Sequence, residues 1–249
     1  MSKYLSILCL LVLSSAAIPR FYQKVQHNTD PEAKCLDGSP SILYEHAGGD
    51  TKNLMIFFLG GGECGETTLE NTLESCYKRS KSFEGTSTIW PKELPGFAVE
   101  GYLSTDPKVS AFANWTKFFI PYCDGTLHQG YRKEPLKYKD AELYFRGGRI
   151  IRAHLSWINS KYDLKNAEKV ILTGMSAGGL AVNLWTDYVK DLVGDDDKVY
   201  PISDSGVFLH FNTITGDNRI EKEMQNIYKL ANVDESTPFT QCNKYFPDQ

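Results

Sequence analysis

The feature that most constrains this chain is a short apolar run that passes directly into a glycine-flanked serine. Val170-Ile171-Leu172-Thr173 is followed at once by Gly174-Met175-Ser176-Ala177-Gly178-Gly179, and helical spacing of apolar residues continues over residues 180–192. A strand that turns sharply into a helix has room at the turn only where the neighbouring residues lack side chains. G-x-S-x-G in this strand–turn–helix setting projects the serine hydroxyl above a sheet edge. The helix behind it aims its first amides at any oxyanion forming there. Ser176 is therefore a candidate nucleophile; the competing reading is a glycine-rich turn with a capping serine.

Two further stretches read as buried strands, residues 53–59 (NLMIFFL) and 118–121 (FFIP). Residues 143–158 show helical spacing through Phe145, Arg149, Ile150, His154 and Trp157. Buried strands alternating with helices predict an α/β fold, a mostly parallel sheet flanked by helices on both faces. No repeat or linker marks a boundary, so one domain is expected. The first strand runs into Gly60-Gly61-Gly62, where acyl-transfer enzymes place oxyanion donors. Amides of Gly61, Gly62 and Ala177 can converge on one oxygen. A phosphate-cradling loop is disfavoured, because no Lys-Ser/Thr follows and Glu63 and Glu66 would repel an anion.

Composition narrows the partners. The chain has 249 residues with 27 Lys and Arg against 31 Asp and Glu, a formal charge of −4, so no basic excess exists to bind nucleic acid. Lys3, the apolar run over residues 5–13 and Ser14-Ser15-Ala16-Ala17 predict a secretory signal peptide at 1–17, leaving a domain over 18–249. The run is short of the ~20 residues of a membrane span, so a secreted protein without a stable membrane anchor is expected. Cys9 leaves with the signal. Cys35, Cys64, Cys76, Cys123 and Cys242 remain, an odd number without zinc-binding spacing, and no metal is expected. Asp195-Asp196-Asp197 lacks the alternate spacing of a calcium loop and reads as a solvated turn. His154 reads as a core residue, while His27, His46 and His128 lie in polar segments.

Several stretches together resemble the pectin acetylesterase and Notum family of secreted esterases: FFLGGGEC (57–64), YLSTDP (102–107), NWTKFFIPYCDG (114–125), LYFRGGRI (143–150), TGMSAGGLA (173–181) and SDSGVFL (203–209). The resemblance implies an α/β-hydrolase-like fold and a cofactor-free serine carboxylesterase acting on an acylated polysaccharide or an acylated protein. It places the nucleophile on Ser176, the oxyanion donors on Gly61, Gly62 and Ala177, and a disulfide between Cys64 and Cys76. Glu63 stands where plant members usually carry Trp, and His210 where the family has Asp. The family's triad Asp and His lie beyond a cysteine-containing stretch that residues 242–247 resemble. The domain is accordingly expected to be C-terminally incomplete and a poor catalyst by itself. An in-chain triad of Ser176, Asp204 and His210 has the α/β-hydrolase order. It is disfavoured, because Asp204 and His210 fall in one loop. The alternative reading is an inactive fragment or pseudoenzyme that binds glycan.

Overall fold

In the NLMIFFL run, Leu54, Ile56 and Phe58 face one buried cluster while Met55 and Phe57 face another, and each is nearly inaccessible to solvent. A strand apolar on both sides belongs inside a covered sheet. The computed structural model, which describes residues 21–96, 101–209 and 211–233, places it there as β3 (Asp50–Phe58). The seven-stranded sheet runs β4 (Glu93–Pro95), β1 (Phe21–Val25), β2 (Leu43–His46), β5 (Trp115–Ile120), β3, β8 (Lys169–Met175), β9 (Val199–Asp204). From β5 to β9 every pairing is parallel. The flank β4-β1-β2 is joined antiparallel. A separate hairpin pairs β6 (Leu136–Tyr138) with β7 (Ala141–Leu143).

Helices α2 (Gly147–Tyr162) and α3 (Ala177–Val193) cover one face of the sheet, burying Ile151, Leu155, Ile158, Val182, Trp185 and Val189 against β3, β5 and β8. The opposite face is covered differently from the periodicity-based expectation. Among the described residues it meets Leu103, Tyr102, Trp90, Leu94 and Phe112, which lie on loops, a short turn and an edge strand rather than on a long helix. Helices α1 (Leu69–Arg79) and α4 (Arg219–Ala231) instead pack at one end around Leu36, Phe145, Ile227 and Leu230. Thr68 caps α1 by accepting from the Asn71 amide. The predicted start of α2 moves from 143 to 147, because Leu143 pairs with Leu136 in the hairpin. Asp195 caps a one-turn segment, with Asp196 near Lys190 and Lys198 near Asp195. Strand β9 exposes Tyr200 and Ile202, and Val207, Phe208, Leu209 and Ile214 follow exposed.

Two disulfides tie the framework, Cys35–Cys123 across 88 residues and Cys64–Cys76 across 12. Cys9 and Cys242, the signal segment and His210 lie outside the described residues. On loop-closure entropy the longer bridge is worth about 4.6 kcal/mol and the shorter ~3. Paired Cys→Ala variants at 35 and 123 should therefore lower the urea midpoint more than those at 64 and 76, and the reverse order would refute this accounting.

Of the histidines in polar segments, His46 and His128 are buried, and His154 is fully buried on α2, as the core reading expects. His27 stacks on Trp157, and its Nε2 lies 2.8 Å from His154 Nδ1. Burial lowers the pKa of His27, His46, His128 and His154. The unfolded chain then binds protons first as pH falls below about 6.5, so stability held above that pH is lost on acidification. The urea midpoint should drop between pH 7.5 and pH 5, and His27→Gln should flatten the dependence. An equal midpoint at both pH values would contradict it.

Candidate active site

Parallel register brings three strand ends to one edge. Phe58 pairs with Gly174, which pairs with Ser203, and Met175 pairs with Asp204. The chain leaving β3 (residues 60–62), the turn after β8 (Ser176) and the end of β9 (Asp204) are therefore neighbours, as the carboxyl ends of an open α/β sheet are wherever such folds place ligands. Ser176 adopts φ 55° and ψ −120°, a conformation an L-residue holds only under constraint. The constraint is visible on both sides of it. Its amide donates to the Asp204 carbonyl at 2.9 Å, and its carbonyl accepts from Leu180 at 3.0 Å in the first turn of α3. Its side chain makes no capping bond, which removes the support for a capping role.

Close packing explains two of the glycines. A Cβ on Gly178 would lie 2.0 Å from the Phe58 carbonyl oxygen, so α3 can leave directly over β3 only without a side chain there. A Cβ on Gly60 would lie 2.2 Å from the Met175 carbonyl oxygen and 3.0 Å from Ser176 Cβ, which sets the glycine loop against the serine. Gly61 and Gly62 follow with φ of 152° and 67°. Ala177 is fully buried as the first residue of α3. The structure thus gathers Ser176, Ala177 and the 60–62 loop. Asp204 also lies there, but by its backbone: its carboxylate is exposed and accepts from the Ser205 hydroxyl at 2.9 Å. His210, its partner in the in-chain triad, lies outside the described residues. The Cys64–Cys76 bond fixes the end of the glycine loop to α1. Among the described residues no three His, Cys, Asp or Glu are grouped to hold a metal ion.

Sequence reasoning missed the residues that hold this loop. His128 is buried, and because a carbonyl can only accept, its Nε2 donates to the Leu59 carbonyl at 2.9 Å. That leaves Nδ1 facing Asp124 at 4.0 Å. Arg79 donates to the Gly61 carbonyl at 2.6 Å. Tyr122 lies between them, its ring 4.7 Å from His128 and 5.5 Å from the Arg79 guanidinium. Glu63 is half-buried, and its pKa is raised by burial first and then by Glu223, with Arg79 opposing. No motif reports these contacts; the polar run PYCDGTLHQG is nearly all buried, which its residues do not show.

The pectinacetylesterase family profile matches residues 17–249. The chain belongs to the pectinacetylesterase family. It is 32% identical to Arabidopsis thaliana pectin acetylesterase 7 over 98% of this chain and 60% of that protein. Pectin acetylesterase 4 of the same plant is 33% identical over 82% of this chain and 48% of its own length. A palmitoleoyl-protein carboxylesterase of Danio rerio, notum1a, is 32% identical over 70% of the chain and 34% of that protein. The solved Wnt deacylase Notum from Drosophila superposes with a TM-score of 0.76 at 26% identity, covering 92% of this chain and 65% of that one. This pectinacetylesterase chain thus spans about half to three fifths of the pectin acetylesterases it matches. The shared fold is the α/β-hydrolase-like arrangement expected from the sequence.

Crowding at the elbow has a measurable cost. Gly178→Ala should destabilise by about 1–3 kcal/mol, the range for overpacking a filled site. Gly62→Ala should cost nearer ~1 kcal/mol from its positive φ alone, since its Cβ would meet nothing closer than Arg79 Nη2 at 3.6 Å. Equal losses in urea titrations would show that the Phe58 contact is not the constraint.

Proposed function

We propose that this chain carries the nucleophile and oxyanion site of a secreted serine carboxylesterase. Ser176 attacks an ester carbonyl, a histidine base takes its proton, the amides of Gly61, Gly62 and Ala177 hold the oxyanion, and water hydrolyses the acyl-enzyme. The observation that carries this reading is the positive φ of Ser176 at a strand–helix elbow, with the 60–62 loop packed against it. Ordinary turns have no reason to hold a serine there. No histidine is among the side-chain contacts of Ser176 in the described residues, so the base in this reading is not assigned to a residue.

The preferred substrate is an O-acetyl ester on a pectin-like polysaccharide. The support is coverage: similarity to pectin acetylesterase 7 runs over 98% of the chain, that to notum1a over 70%. A protein-linked fatty acyl ester is the second candidate, supported by the likeness to Notum. Secretion fits two disulfides, which persist in oxidising compartments. No helix among the described residues is long and apolar enough to cross a membrane.

In the protein that carries this chain, Ser176→Ala should reduce hydrolysis of p-nitrophenyl acetate by several powers of ten, as loss of an activated nucleophile does. Turnover equal to that of the alanine variant would remove the enzyme reading and leave the glycan-binding one.

A further inference from the structure

The glycine loop is gripped from the side of α1 by one cation. Arg79 ends that helix, and its side chain is 11% exposed. Nη2 donates to the Gly61 carbonyl at 2.6 Å and to the Glu63 carbonyl at 3.3 Å. Nη1 lies 3.3 Å from Glu84 Oε2, and the guanidinium covers the Tyr122 ring. A buried cation needs such compensation, and Glu84 supplies it. Glu84 can come close because Gly61 has no side chain; a Cβ there would lie 2.8 Å from Glu84 Oε1.

A trans peptide is planar, and its C=O points opposite to the N–H of the next residue. Fixing the Gly61 carbonyl on Arg79 therefore turns the Gly62 amide away from Arg79. A positive charge on that oxygen also polarises the peptide and makes its N–H a stronger donor. We propose that Arg79 is a positioning residue for the oxyanion site, setting the direction and the donor strength of the Gly62 amide from behind the loop. The inference rests on the reading of Gly62 as an oxyanion donor. Arg79 itself touches no reacting atom. The Cys64–Cys76 bond holds its helix to the loop, so helix and loop keep one geometry. Lysine would supply charge without the planar fork that reaches two carbonyls and a carboxylate at once.

Arg79→Gln and Arg79→Lys in the protein carrying this chain provide the test, with Ser176→Ala as the zero of activity. For p-nitrophenyl acetate, kcat should fall about tenfold to a hundredfold in the glutamine variant, with KM within about threefold and partial recovery in the lysine variant. Independently of activity, the Gly62 amide proton resonance should move upfield in both variants as its polarisation is lost, while cooperative unfolding is retained. Should the glutamine variant fail to fold, the lysine variant carries both measurements. If the parent protein is no more active than Ser176→Ala, the esterase reading fails and the Gly62 resonance alone judges the clamp. An unmoved Gly62 amide, or a raised KM at unchanged kcat, overturns the proposal.

Discussion

The Phe58 carbonyl and the first turn of α3 approach so closely that no methyl group fits between them. This contact joins the two central strands to the helix that carries the candidate nucleophile, and much of the site geometry follows from it. With α3 pressed onto β3, the turn after β8 must be made in one residue, and Ser176 takes the strained conformation. The same pressure brings Gly60 against Met175 and Ser176, so the glycine loop cannot drift from the serine. Strain of this kind costs on the order of 1–3 kcal/mol and persists only where its surroundings over-determine it. Here they do, because the Ser176 amide and carbonyl are both bonded within the elbow.

A second constraint is electrostatic. Residues 121–130 form a loop that is nearly all buried, so its polar groups need partners inside the protein. Asp124 supplies several. Its carboxylate accepts from the Thr126 amide at 2.9 Å and from the Thr126 hydroxyl. It also lies against Gly147, whose Cβ would meet Asp124 Oδ2 at 2.3 Å, so the negative charge sits at the N-terminus of α2 where the helix dipole favours it. The His128 carbonyl accepts from Trp185 Nε1 at 3.1 Å, and the Leu127 amide donates to the Tyr122 hydroxyl at 2.9 Å. With Cys123 bonded to Cys35, the loop becomes a rigid wall that holds Leu59 through His128. Functional loops are more often exposed; this one supports the site from below.

The legible parts of the sequence were those written in local patterns. The runs around β3, β5 and β8 showed their two-sided burial as unbroken apolar stretches, and the elbow showed itself in the spacing of glycines around Ser176. Strands β1 and β2 were missed because FYQKV and LYEH are short and mix polar with apolar residues, and their place is set by pairing with each other and with β5. His154 is the core residue that its apolar helix face implied, but the burial of His46 and His128 was not legible, for a related reason. His46 and His128 have polar neighbours in sequence, but burial is decided by distant elements, and His154 meets its partner His27 127 residues away. Arg79 was invisible for the same cause: its acceptors lie on a loop 16 to 18 residues earlier, beyond any helical or strand period.

The stretches that carry the family resemblance therefore do two kinds of physical work, and Lys117 shows the second. It lies on β5 within NWTKFFIPYCDG, fully buried, and burial alone pulls its pKa down to about 8. Its ammonium donates to the carbonyls of Leu103 and Ser104, at 3.2 and 2.7 Å, and the Tyr22 hydroxyl donates to the same Leu103 carbonyl at 2.6 Å. Both acceptors belong to YLSTDP, so that stretch is anchored to the sheet through its backbone. These bonds fix where the carbonyls of Leu103 and Ser104 point. A motif in a family can mark a cage for a buried cation as firmly as it marks a nucleophile, and only the contacts distinguish YLSTDP from TGMSAGGLA. Ser176 is left without a capping bond at a strained elbow, whereas the Lys117 ammonium is turned inward onto two backbone carbonyls.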